Sequence, residues 1–81
     1  MADTPDLAVD FMDMTDDRRL LSRRVDARLG YEPVVGAHAV VGDEGAEPRV
    51  ARILAIDVNG IIELEVLPGP IELYRDVLTP A

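Results

Sequence analysis

Few side chains in this 81-residue chain could perform covalent chemistry, and they do not converge. There is no cysteine, one histidine, His38, and one serine, Ser22. Nucleophilic catalysis needs a nucleophile, a base and a group that orients the base, all within hydrogen-bond reach. His38 stands between Ala37 and Ala39 in an alternating stretch and reads as a strand histidine, while Ser22 lies among arginines in a segment that reads as helix. Asp43, Glu44 and Glu47 in "GDEGAE" gather carboxylates of the kind hard cations favour, but without the spacing of a calcium loop, so a solvated turn is expected there. The acidic "GDEG" would also repel the phosphate that a glycine-rich cradle holds. The expectation is a non-enzymatic chain with no cofactor and no metal site.

Composition narrows the class. Sixteen acidic residues oppose eight basic ones for a net charge of −8, which argues against direct nucleic-acid binding, because counterion release needs clustered positive charge. An acidic surface suits a basic protein partner instead. Every basic residue is arginine, which reads as compositional bias rather than as a functional choice. The apolar runs are far short of the roughly 20 residues of a membrane span, and the first residues are acidic where a secretion signal would be basic. A cytoplasmic protein with no membrane contact is therefore expected. A chain this short holds one domain and buries a modest core, so a partner or a homodimer would help to stabilise it.

The elements that must position any site divide by charge. Residues 1 to 17 carry six aspartates and no base, residues 18 to 30 carry five arginines and Asp26, and residues 31 to 81 are acidic again. Within an acidic arm at 1 to 14, Leu7, Phe11 and Met14 recur at i, i+4 and i+7, one face of a short amphipathic helix that could anchor in a partner's groove. The same pattern also suits a loose terminal segment. The rest, 15 to 81, is expected to form the single small domain. In "TDDRRLLSRRVDARLG", Thr15 can cap a helix, Asp16 and Asp17 suit its first turn, Gly30 offers a left-handed stop, and Leu21, Val25 and Leu29 form a four-residue stripe. The reading is helix over 16–29, its arginines spread around the cylinder and partnered by aspartates.

Beyond "GYEPVVG" the period becomes two, and strands are expected at about 36–42, 49–57, 61–67 and 71–75. In "AIDVNGIIELEVLPGP" a two-residue Asn59-Gly60 loop would set Ile56 against Glu63 and Leu54 against Glu65. A three-residue loop of Val58, Asn59 and Gly60, with Asp57 opening the turn and Gly60 in a left-handed bulge, instead pairs Ile56 with Ile62, Leu54 with Leu64 and Arg52 near Val66. A one-residue slip exchanges the faces of a strand, so the apolar pattern selects the second register. That leaves Ile53, Ile61, Glu63 and Glu65 on an outer face, joined by Glu72 and Tyr74 from a last strand whose Ile71 and Leu73 point inward. Pro70 marks that strand as an edge.

The fold class expected is thus α+β: an N-terminal helix followed by a small curled antiparallel sheet of four to five strands. The strand pattern over about 34 to 80, with a longer first loop at 42 to 48, tight later turns and "LYRDVLTP" at the end, resembles the SH3-like small-barrel architecture, a partly open barrel. Aromatic residues that would line a peptide groove are lacking, since Tyr31 and Tyr74 are the only tyrosines and tryptophan is absent. Fold analogy alone carries no function. The functional expectation is a protein-binding or regulatory module. Its binding residues would be Leu7, Phe11 and Met14 in the arm and Ile53, Ile61, Glu63, Glu65 and Tyr74 on the sheet. Two other readings stand beside it: a self-associating structural subunit of a phage or bacterial assembly, with Ile53 and Ile61 buried between copies, and an acidic mimic of nucleic acid.

Overall fold

The computed structural model describes residues 5–43 and 46–78. Its organising unit is the hairpin around Asp57. The Asp57 carboxylate accepts the backbone N–H groups of Asn59 and Ile61, each at 2.9 Å, and Gly60 takes φ of 82°, the left-handed region open to a residue without Cβ. Gly60 N–H returns to the Asp57 carbonyl at 3.1 Å, which closes the bulged three-residue turn. The turn joins Arg49–Ile56 to Ile61–Val66 with Ile56 opposite Ile62, as the sequence pattern predicts.

Five strands form one curled mixed sheet, a half-barrel: β1 (Leu7–Ala8), β2 (Arg19–Arg23), β3 (His38–Gly42), β4 (Arg49–Ile56) and β5 (Ile61–Val66), in the order β1-β3-β4-β5-β2. The β3-β4-β5 meander is antiparallel, β2 adds antiparallel to β5, and β1 adds parallel to β3. The sheet is therefore mixed, not antiparallel throughout. The parallel docking of β1 is held by Asp6 N–H on the Val40 carbonyl (2.7 Å) and Val9 N–H on the Gly42 carbonyl (2.9 Å). The Asp6 carboxylate adds bonds to Val40 N–H and to the Arg28 guanidinium.

The concave face carries the main core, built from Leu7, Leu20, Ala39, Val41, Ala51, Ile53, Ile62, Leu64 and Val66. A second, smaller cluster of Val40, Val50 and Ile71 lies on the opposite face. Burial of β3 and β4 on both faces explains their unbroken apolar stretches, "AVV" and "VA", where a half-exposed strand would alternate. The second cluster is covered by a 3-10 turn, Ile71–Tyr74, that runs into the one-turn helix α1 (Arg75–Leu78). Leu67, Tyr74 and Leu78 pack there, and Arg49 fastens the approach by donating Nε to the Gly69 carbonyl (3.1 Å) and Nη2 to the Leu67 carbonyl (3.3 Å). The radius of gyration, 11.6 Å, is that of a chain this length packed as one body.

Several sequence expectations are corrected here. No helix spans 16–29: Thr15–Arg18 turns, Arg19–Arg23 is β2, and Arg24–Asp26 is a 3-10 turn. The stripe that suggested a buried helical face lies in solvent, with Leu21, Val25 and Leu29 exposed by 64%, 81% and 97%. The residues buried there are Leu20 and Ser22, at the strand period of two. Pairing with the otherwise open side of β5 overrides the helix preference of arginine and leucine. Residues 7 to 14 are likewise not helical but β1 and a 3-10 turn, Phe11–Asp13; residues 1 to 4 of the arm lie outside the described residues.

At the other end, 71–75 is helical rather than a strand, which places Leu73 outside at 67% exposure. Tyr74 does not stand on the acidic stripe: its ring packs in the second cluster and its hydroxyl donates to the Pro68 carbonyl. Past the predicted turn, the register slips by one at Leu54, so that Ile53, not Leu54, opposes Leu64, and Arg52 opposes Glu65. The bulge turns Ile53 into the core at 1% exposure, away from the outer face expected for it. Of the "GDEGAE" turn, Glu44 and Gly45 lie outside the described residues. Among the described residues no helix is long and apolar enough to cross a membrane.

Candidate functional site at the free edge of the second strand

A half-barrel leaves two sheet edges, and the one that matters belongs to β2. The bonds that flank its ladder, Val66 N–H to the Arg18 carbonyl and Arg24 N–H to the Gly60 carbonyl, show that even-numbered residues of β2 aim their backbone groups at β5. Odd-numbered residues therefore aim theirs at the open edge. Arg19 is taken care of locally, because its N–H reaches Thr15 Oγ1 (2.9 Å) and its carbonyl accepts Thr15 N–H (3.0 Å). The left-handed Arg18, with φ of 65°, lets the chain double back to make that cap. Thr15 also donates to Asp17, and this bond holds the Asp17 carboxyl below its ordinary value. Leu21 and Arg23 have no such cap, and their backbone N–H and C=O groups have no partner among the described residues.

Beside this edge runs a groove. One part, about 520 Å³, is lined by Ala8, Val9, Asp10 and Asp13 on one wall and by Leu21, Ser22, Arg23, Asp26 and Ile61 on the other. A second part, about 410 Å³, continues past Thr15, Arg19, Leu20 and Glu63 and shares Asp13 and Leu21 with the first. Ser22 Oγ donates to the Ala8 carbonyl at 2.7 Å and closes the floor where the two walls approach. That bond also commits the hydroxyl to a structural role.

The electrostatics of the groove are uneven. Arg23 pairs with Asp26 at 3.1 Å and Arg19 with Glu63 at 3.0 Å, so each guanidinium already has a carboxylate partner. Asp10 caps the 3-10 turn by accepting Met12 N–H at 2.9 Å, and neither it nor Asp13 has a cationic partner among the described residues. Three further ion pairs engage other arginines: Arg24 with Glu32, Arg28 with Asp6 and Arg52 with Glu65.

Of the residues singled out by sequence, the structure brings Ile61 and Glu63 to this groove. Leu7 is a core residue with no exposure, and Ile53 is almost as buried. Phe11 packs against the core from the rim, Met14 is exposed by 36%, Glu65 pairs with Arg52 across 3.8 Å, and Tyr74 lies on the far face. Sequence reasoning missed Asp10, Asp13, Leu21 and Arg23 as a group. The segment "RLLSR" carries no clear alternation of residue type, since Leu20 and Leu21 are both apolar, and the period of two emerges only in its burial. Comparison with models of protein families, with curated proteins and with solved structures finds no match.

Proposed function

We propose that this chain is a non-enzymatic protein-binding module that takes an extended segment of another protein along the free edge of β2. The observation that supports this is the pair of uncapped residues, Leu21 and Arg23, facing an open groove. Unpaired edge groups are a template for strand addition, in which main-chain hydrogen bonds supply affinity and alternate side chains supply selectivity. We read the half-barrel as an SH3-like scaffold whose binding surface is this edge rather than an aromatic groove; the antiparallel β3-β4-β5 meander followed by a 3-10 turn favours that reading.

Leu21→Pro tests it cleanly. Proline at 21 removes an edge donor, while the ladder to β5 runs through Leu20 and Ser22 and keeps its bonds. Peptides selected on the wild-type chain from a displayed random library should shift the Leu21 and Arg23 amide resonances and lose binding to Leu21→Pro. Peptides that leave both amides unmoved, or a selection that enriches none, would overturn the proposal.

A further inference from the structure

We infer that the segment taken by this edge is basic: an extended peptide with lysine or arginine at alternate positions. The inference rests on the strand-addition reading and adds the chemistry of the occupant. Side chains of an added strand alternate between the two faces, so every second one would project over the wall that carries Asp10 and Asp13. The groove as a whole presents Asp10, Asp13, Asp26 and Glu63 against Arg19 and Arg23, and both arginines are already paired. The two carboxylates left over are those of the wall opposite β2. A cation between them and the edge would meet charge that the chain does not neutralise itself. The intervening side chains of the peptide would face outward beside the exposed Leu21 and the half-buried Ile61, where aliphatic surface favours an apolar or β-branched residue.

The same edge disfavours a second copy of the chain as the occupant. Antiparallel pairing of β2 with itself, centred on Leu21, would set Arg19 of one copy across from Arg23 of the other on the same face. Like charges directly opposite destabilise a strand pair, and charged edges are a common guard against such pairing.

The probes are two eight-residue peptides, one alternating lysine with valine and threonine, the other with glutamate in place of every lysine. Both are titrated into the isotopically labelled full chain, in wild type and in Asp10→Asn and Asp13→Asn, with amide spectra confirming that each variant keeps the fold. Asparagine can still cap the turn at 10, so the first variant removes charge and little else. The lysine peptide should shift the Leu21 and Arg23 amides and bind about tenfold more tightly than the glutamate peptide, with the gap closing as salt rises. Each variant should weaken the lysine peptide by several-fold. Equal binding of both peptides at these amides would overturn the basic preference and leave strand addition standing. So would failure of the lysine peptide where library-selected neutral peptides succeed. If no peptide of either kind moves the two amides, both readings fall. A dimer that forms through β2 as concentration rises would assign the edge to a second copy and overturn the inference.

Discussion

Ser22 donates its hydroxyl to the Ala8 carbonyl across 2.7 Å, and this bond ties the two outer strands of the sheet to each other. Neither strand is paired to the other by a ladder; the Ser22 bond joins them directly, beside the Leu7–Ala27 bridge and the Arg28 N–H on the Asp6 carbonyl (2.7 Å) that tie β1 to the segment after β2.

Ser22→Ala should therefore cost more than an ordinary serine substitution. It leaves a carbonyl beside the core without its donor, a loss of about 1–3 kcal/mol. Urea denaturation would measure it, and faster amide exchange at Val9 than at Leu64 would show that β1 loosens first.

Gly42 tests the parallel docking of β1. A Cβ built there would collide with the Pro5 ring, which lies against Gly42 at the start of the β1 segment. Gly42→Ala should destabilise the chain by about 1–3 kcal/mol through overpacking. Loss of protection at Asp6 and Val9 N–H with the β4–β5 amides unchanged would place the damage at this contact.

The bulge at Leu54 makes neighbouring residues energetically unlike. Ile53→Ala removes a core side chain and should cost about 2–5 kcal/mol, whereas Leu54→Ala, at a half-buried position, should cost under about 1.5 kcal/mol. Equal costs, or the reverse order in chemical denaturation, would restore the uninterrupted register.

Tyr31 sets an alkaline limit. Its partial burial, and secondarily the Asp6 carboxylate, raise the phenol above its ordinary 10.0. In the unfolded chain the phenol ionises at the lower value, so the unfolded state loses its proton first as pH rises. Stability from this group is complete below about pH 10 and falls above it. Tyr31→Phe should flatten that alkaline decline in thermal melts while leaving the acid limb unchanged.

The meander from 38 to 66 was legible because its signals are local. Asp57 and Gly60 specify the turn, and alternation specifies the strands that leave it as far as Leu54, where a bulge with no local signal exchanges the faces of β4. The segment from 16 to 29 was not legible, because its four-residue stripe and capping residues agree with a helix that only the open side of β5 rules out. That competition is decided by a contact more than forty positions away in sequence, of the kind Arg19 makes with Glu63. Beyond Pro70 the signal was there and was misread: Ile71, Tyr74 and Leu78 fall at i, i+3 and i+7, the helical period that covers Val40 and Val50. The candidate site was half visible, through Ile61 and Glu63. Its other half depends on a strand edge, which has no pattern of its own in sequence.

The parallel pairing of β1 with β3 also orders events in time. The β4–β5 hairpin closes over a few residues and β3 adds across one loop, so these contacts carry the least loop-closure entropy. β2 and β1 both precede the meander in sequence yet dock onto its two outer sides. On a ribosome they emerge first and must wait, β1 until Gly42 and β2, with Leu20 uncovered, until Val66 has left the exit tunnel. The strand that offers the free edge is thus the last of the sheet to be placed during synthesis, and the most exposed to capture by other chains before it is.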